Sequence, residues 1–386
     1  MRLTPIEGLR GFLALWVLLG HTLQTVGTAG YWGSVVHWIP DSQLAVKCFM
    51  VISGFVIFLL LDTKREPYKV FITRRFFRIY PVYILLFALA IPCSLLWQAE
   101  VLHARDLGWL SPRWVDIYTT SIGHYWSGIW YHVPLHLLLL QGVIPENVLP
   151  GSASAFLEPA WSLSLEWQFY LVAPLFFYLF TTKANWKRIS AFGACLLMVI
   201  FSRRYIPSIG MNAALPSQIE YFFLGWFSYF LYSSLAHLNL KGDRVFPAAL
   251  IISVAVYKTS GKDEALLGFL IWGVFFSLLL EPVGSISTRF ITSLFSNKVS
   301  MWLGKISYSI YLSHVLVIVV LKWCLFKIFP TATPAEHYLM LTPLVLAMTV
   351  LISSGLYLAV EAPFIRLGAK LTGGKPRPLA VVGRQN

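Results

Sequence analysis

The chain has 386 residues, 57% of them hydrophobic and only 12% charged, with a formal net charge of +13. A soluble domain carries about 25% charged residues, so this composition, with its mean hydropathy of +0.69, excludes one and describes a polytopic membrane protein. The basic excess does not mark a nucleic-acid binder, because no basic run interleaves with aromatics outside the apolar segments; it fits inner-membrane proteins, whose Lys and Arg collect in cytoplasmic loops.

The first apolar span is Gly8–Val26, with Arg10 at its start and His21 deep inside. Along a helix these two are ~16 Å apart, about half a hydrocarbon core of ~30 Å. An ionisable group at that depth is costly and marks a function or a partner. Small residues at Gly27–Gly30 follow, as at a signal-peptide cleavage site, but His21, Gln24 and the many later spans argue against cleavage. The second span is Ser42–Leu61, interrupted by Ser53-Gly54. The most basic stretch comes next, with Lys64, Arg65, Lys69, Arg74, Arg75 and Arg78. Ile79–Trp97 reads as the third span. Gln98–Tyr131 then mixes Trp, Tyr, Gly and charge, and ends in the short apolar run His132–Ile144. The fourth full span begins at Trp161. Further candidates are Ile189–Phe201, Gln218–Leu235, Val245–Tyr257, Ala265–Leu280, Ile306–Phe326 and Leu339–Val360.

Charge sets the topology. With the N-terminus cytoplasmic and His132–Ile144 not crossing, ten spans place both termini in the cytoplasm. The inner side then holds more than twice as many Lys and Arg as the outer side, where Lys322 is counted. If His132–Ile144 crossed, the basic tail and the Lys183–Arg188 cluster would face outward, against the positive-inside bias. The expected fold is therefore all-α: about ten transmembrane helices and one re-entrant or interfacial segment, which is tolerated where protein or a water cavity surrounds it.

In this topology His21 and Glu166 reach a similar depth from separate spans. A carboxylate beside an imidazole holds its tautomer and stabilises the imidazolium, which equips the pair to deprotonate an alcohol; a purely structural polar contact fits the spacing equally well. Ser53, Tyr311 and His314 are candidates for lining the same cavity, with Ser307, Tyr311 and His314 on one helix face. Arg75 and Arg78, three apart, are spaced to hold phosphates, although anchoring to anionic lipid explains them as well. His124, His132 and His136 are placed near the outer surface without a role. Cys48, Cys93, Cys195 and Cys324 lie in apolar runs without CxxC spacing, so they read as packed thiols rather than disulfides or metal ligands. No Walker loop, GxGxxG or HExxH occurs.

Six stretches carry a resemblance: Glu7–Gly11 with His21, the Arg-then-ten-then-His pattern; Phe49–Phe55 (FMVISGF); Arg75–Pro81 (RFFRIYP); Trp161–Tyr170 (WSLSLEWQFY); Gly304–His314 (GKISYSIYLSH); and Glu361–Phe364 (EAPF). At these residues the chain resembles the acyltransferase-3 family, integral-membrane enzymes that O-acylate sugars, peptidoglycan and some small molecules. Lys47-Cys48 departs from the small or aromatic residues usual before the third of these residues, Phe49, and leaves substrate detail open. The resemblance implies one membrane acyltransferase domain over residues 1–365, followed by a basic, mobile cytoplasmic tail over 366–386, in a bacterial inner membrane. It implies a stand-alone form without an extracytoplasmic transferase domain. It also implies no permanently bound cofactor, acyl-CoA (acetyl-CoA by default) as donor, and a hydroxyl of a cell-surface or lipid-linked glycan as acceptor. His21 and Glu166 match the essential histidine and acid, and Arg75 and Arg78 match arginines implicated in donor binding, with Arg10 assisting. On that reading His21 is the general base, Glu166 orients it, and Ser53 or Tyr311 donates to the oxyanion. A small-molecule acceptor is the alternative within the class. A proton-coupled transporter or lipid flippase is the alternative outside it, disfavoured because no internal repeat is visible.

Overall fold

The computed structural model describes residues 4–25, 42–209, 213–235, 245–259, 264–280 and 286–373. Among them there is no strand. The helices are α1 (Thr4–Thr25), α2 (Ser42–Lys64), α3 (Tyr68–Asp106), α4 (Pro112–Ser127), α5 (Ile129–Leu137), α6 (Ala160–Thr181), α7 (Asn185–Ile209), α8 (Leu215–Leu235), α9 (Val245–Thr259), α10 (Glu264–Leu280), α11 (Ile286–Phe295), α12 (Lys298–Ile328), α13 (Pro334–Leu356) and α14 (Ala362–Leu371). A 3-10 turn at Gln141–Val143 follows α5, and a π turn at Tyr357–Glu361 joins α13 to α14. Local chemistry sets the boundaries. Asn297 caps α12 by accepting from the Ser300 amide at 2.9 Å. Thr333 and Glu336 form a reciprocal capping box at the start of α13, with Pro334 in its first turn.

Among the described residues, six helices are long and apolar enough to cross a membrane: α1, α2, α3, α6, α12 and the continuous Pro334–Leu371. Helices α7 to α10 stand where the remaining four spans were expected; the described parts of α9 and α10 comprise 15 and 17 residues, against the ~20 that a hydrocarbon core requires.

Contacts fix the relative directions of the helices. Residues ascending α1 meet residues ascending α12, Gly11 at Gly304 and His21 at His314, so the two are parallel. Helix α3 runs the same way, with Ile79 at Tyr308 and Glu100 at Lys322. Helix α6 opposes α3, with Phe71 at Tyr170 and Phe76 at Trp167. The end of α3 and the start of α6 therefore lie at the same end of this helix pair, as expected if His132–Ile144 does not cross. The nine-residue α5 is ~14 Å long, half a hydrocarbon core.

Helices in lipid gain nothing from hydrophobic association, so close backbone approach carries their packing. A Cβ on Gly54 would collide with the carbonyl of Phe222, and one on Gly225 with that of Val51, so α2 and α8 cross on two glycines. A Cβ on Gly304 would collide with the carbonyl of Glu7 where α12 crosses α1. Phe58 and Phe169 stack on Trp226 at 4.9 and 5.7 Å and fill the space beside the first crossing.

Four expectations change. The third span is the middle of a 39-residue helix, α3, which extends past both expected ends. The boundary at residue 365/366 falls inside α14, whose Gly368 packs on Phe77 and whose following Thr372 accepts from Arg74 Nε at 2.8 Å; that ordered contact with α3 holds residues 366–373, and 374–386 lie outside the described residues, as do Gly27–Gly30. Lys322 is buried rather than in an outer loop, because α12 continues to Ile328 and turns Lys322 toward α3. Cys324 is exposed; Cys48 and Cys195 are buried and Cys93 is half-buried.

Candidate active site

The glycine crossing of α1 and α12 brings together two imidazoles separated by 293 residues. His21 Nδ1 lies 2.7 Å from His314 Nε2, with the ring planes within 6° of each other. His314 Nδ1 lies 3.2 Å from the carbonyl oxygen of Ile310, one turn earlier on α12, and the side chain has no solvent exposure. His21 opens on a cavity of about 280 Å³ whose wall includes Gln24, Trp97, Glu100, Tyr118, Glu158 and Lys322. Lys322 Nζ donates to the Thr25 carbonyl at 2.7 Å and stands 3.9 Å from Glu100 Oε2. The second oxygen of that buried carboxylate has no hydrogen-bond partner.

Glu166 lies elsewhere. It lines a separate cavity of about 60 Å³ with Arg10, Ser53, Ser162, Tyr308 and Tyr311. Its Oε1 accepts from Ser53 Oγ at 3.4 Å and from the Tyr170 hydroxyl. Arg75 bonds the same Tyr170 and lies over its ring at 5.8 Å from the centroid. Arg75 is buried, and its Nε has no hydrogen-bond partner. Arg78 lies within electrostatic range of both Arg10 and Arg75. Arg10, Arg75 and Arg78 thus cluster with the carboxylates of Glu166 and Glu361, and their guanidinium groups present fork-shaped donors suited to anions.

The expected His21–Glu166 pair does not form: the two side chains line different cavities, and each bonds other partners. The physical reason is depth. The residue of α1 that shares a cavity with Glu166 is Arg10, and Arg10 is ~16 Å of helix away from His21. Ser162, one turn before Glu166, is the α6 residue that approaches the histidines, through Tyr311. The hydroxyls of Ser162 and Tyr311 are 2.7 Å apart, and the Tyr311 ring centroid is 6.1 Å from that of His314. Tyr311 therefore stands between the two cavities. Ser53 belongs to the Glu166 cavity only, and His314 is the immediate partner of His21.

Ser162, Ser164 and Gln168, which flank Glu166 in the sequence and are explained there by capping and packing, make specific bonds. On α6, Ser164 accepts from the Gly142 amide at 3.2 Å and donates to the Leu139 carbonyl at 2.9 Å. Gln168 accepts from the Leu215 amide at 2.8 Å and donates to the Ala213 carbonyl at 3.1 Å. These side chains satisfy backbone exposed where the α5 segment turns and where α8 begins, as buried backbone requires. His136 is fully buried. Its ring nitrogens meet the Tyr83 hydroxyl at 3.0 Å and the Ser152 carbonyl at 3.2 Å, and burial holds its imidazole down to about 3. Glu361 accepts from Ser309 Oγ at 2.9 Å, with Arg78 and Arg10 in electrostatic range. The signal for the α6 set was visible as polar residues at every second position of Ser162–Gln168, a pattern that apolar packing does not need.

A family model described as an acyltransferase domain matches residues 4–358. Among curated proteins, an acyltransferase of Streptomyces mycarofaciens, MdmB, is 28% identical over 340 residues, covering 82% of this chain and 79% of its own. A protein of Staphylococcus aureus (strain COL) whose name proposes an O-acetyltransferase is 23% identical over 402 residues; the alignment covers 97% of this chain but only 59% of the relative's length. A protein of Acidianus two-tailed virus whose name proposes an acetyltransferase is 25% identical over 329 residues, covering 81% of this chain and 82% of its own. No solved structure matches the chain.

Proposed function

The chain belongs to the acyltransferase family whose model spans residues 4–358, and from that premise we propose that it moves an acetyl group from acetyl-CoA on the cytoplasmic side to a hydroxyl of a cell-surface or lipid-linked glycan. The proposed setting is a bacterial inner membrane, with ten spans and both termini cytoplasmic; the opposed directions of α3 and α6 agree with it, and so does the predominance of Lys and Arg on that side. The observation that carries the reading is the division of the membrane interior into an arginine-lined pocket and a polar chamber bearing a histidine, with Tyr311 between them.

In this reading the CoA phosphates bind Arg75 and Arg78, assisted by Arg10. The open Nε of Arg75 offers a donor that no protein group uses. Glu166 and Tyr170 hold these cations in place. The pantetheine arm runs along α1 toward His21, and the Arg10–His21 rise of ~16 Å matches its reach. His21 takes the acceptor hydroxyl proton at Nε2 as the oxygen attacks the thioester carbon. The Tyr311 hydroxyl donates to the developing oxyanion. The carbon–sulfur bond breaks, and the proton on His21 leaves with the CoA thiolate.

The test uses purified chain in detergent micelles with acetyl-CoA, reading CoA thiol release with and without a glycolipid extract, together with mass spectrometry of the glycan. Transfer of acetyl to the glycan, reduced about 10²- to 10⁴-fold in His21→Ala as loss of a general base requires, supports the proposal. Unchanged turnover in folded His21→Ala overturns it.

A further inference from the structure

Building on the reading of His21 as general base, we infer that His314 is the positioning residue that fixes the tautomer of His21, the task first assigned to Glu166. The geometry decides each proton in turn. The Ile310 carbonyl can only accept, so the His314 Nδ1 that faces it at 3.2 Å carries a proton. His314 has no exposure, and the polar and aromatic groups recorded against it, His21, the Tyr311 ring and that carbonyl, carry no negative charge; it is neutral. A neutral imidazole protonated at Nδ1 has a bare Nε2. That Nε2 accepts across 2.7 Å from His21 Nδ1, so the His21 proton sits on Nδ1. The His21 Nε2 is left with its lone pair free, the form a general base requires. The near-coplanar rings, within 6°, align the shared proton with the His314 lone pair and hold the orientation of His21.

The opposite tautomer chain places the bare His314 Nδ1 lone pair against the Ile310 carbonyl oxygen and puts the His21 proton on Nε2, where it blocks base chemistry. The device resembles a catalytic triad in logic, with one difference. The orienting group is neutral, so it selects the tautomer without adding a negative charge to a site shielded from water. When His21 takes the substrate proton at Nε2, its Nδ1–H remains bonded to His314, and no second proton need move.

The experiment has two arms. In ¹⁵N-histidine-labelled wild-type protein, the His21 resonances, identified by their loss in His21→Ala, are expected to report the Nδ1–H tautomer; an Nε2–H tautomer overturns the inference with no variant required. In the second arm, His314→Leu removes the acceptor, and His314→Gln keeps one, since its amide oxygen takes the place of Nε2. Loss of the acceptor is expected to lower kcat for CoA release about 10²-fold while KM for acetyl-CoA moves less than about threefold. His314→Gln is expected to recover to within about tenfold of wild type and to keep the Nδ1–H signature, which a purely structural role would not produce. Equal kcat in folded Leu and Gln variants overturns the inference. If His21→Ala retains turnover, the general-base reading itself has failed, and that result is distinct from both.

Discussion

Tyr170 ties a carboxylate to a cation. Its hydroxyl bonds Glu166 while its ring lies under Arg75. Glu166 is thereby part of the arginine cluster, and on the proposed reading its removal weakens donor binding first. Glu166→Gln keeps the size and an acceptor oxygen but removes the charge that faces Arg10 and Arg75. A buried charge-assisted contact is worth about 1.5–3 kcal/mol, equivalent to about 10- to 100-fold in affinity. Steady-state kinetics of the variant should therefore show KM for acetyl-CoA raised about 10-fold or more, with kcat within about threefold. A lowered kcat at constant KM would place Glu166 on the base instead. The sequence paired Glu166 with His21, but Glu166 bonds Ser53 and Tyr170 instead, because counting turns from the start of α6 presumes that α6 starts at the membrane surface. The chain just before it, at Leu139 and Gly142, is folded against Ser164, so that origin was unavailable from spacing.

Element packing decides whether the two histidines meet. The α1–α12 crossing depends on Gly304 having no side chain against the Glu7 carbonyl. Gly304→Ala forces the helices apart at rigid backbone, at a cost of about 1–3 kcal/mol for overpacking, and lengthens the His21–His314 contact further along the same pair. Thermal unfolding in detergent should fall, and CoA release with it. Gly355 on α13 is the control: nothing lies within 4 Å of a Cβ there, so Gly355→Ala should be neutral or stabilising by up to about 1 kcal/mol through helix propensity. Equal losses in both variants would show that close approach at Gly304 is not what joins α1 to α12. Both glycines stand out in the sequence only as glycines; which one is a crossing point depends on the neighbouring helix.

At the scale of the whole molecule, the opposed directions of α3 and α6 make a topological prediction. With the native cysteines replaced, including exposed Cys324, Arg65→Cys in the turn between α2 and α3 should react with a membrane-impermeant maleimide only after the cells are permeabilised. Asn147→Cys, in the segment between α3 and α6, should react in intact spheroplasts. Labelling of both from one side would overturn the ten-span arrangement. On the proposed arrangement, Arg10, Arg75 and Arg78 would lie toward the cytoplasm and the His21 chamber toward the exterior.

The sequence by itself determined that the chain is helical, with helices apolar enough to cross a membrane, and roughly where those helices fall. Hydropathy and charge are properties of one segment at a time, so they survive without neighbours. Tertiary structure alone decided the partners: His314 for His21, Tyr170 and Ser53 for Glu166, Lys322 for Glu100. Partnership between parallel helices almost 300 residues apart depends on which small residues let two backbones touch, and at what depth, and that is a relation between segments rather than a property of either.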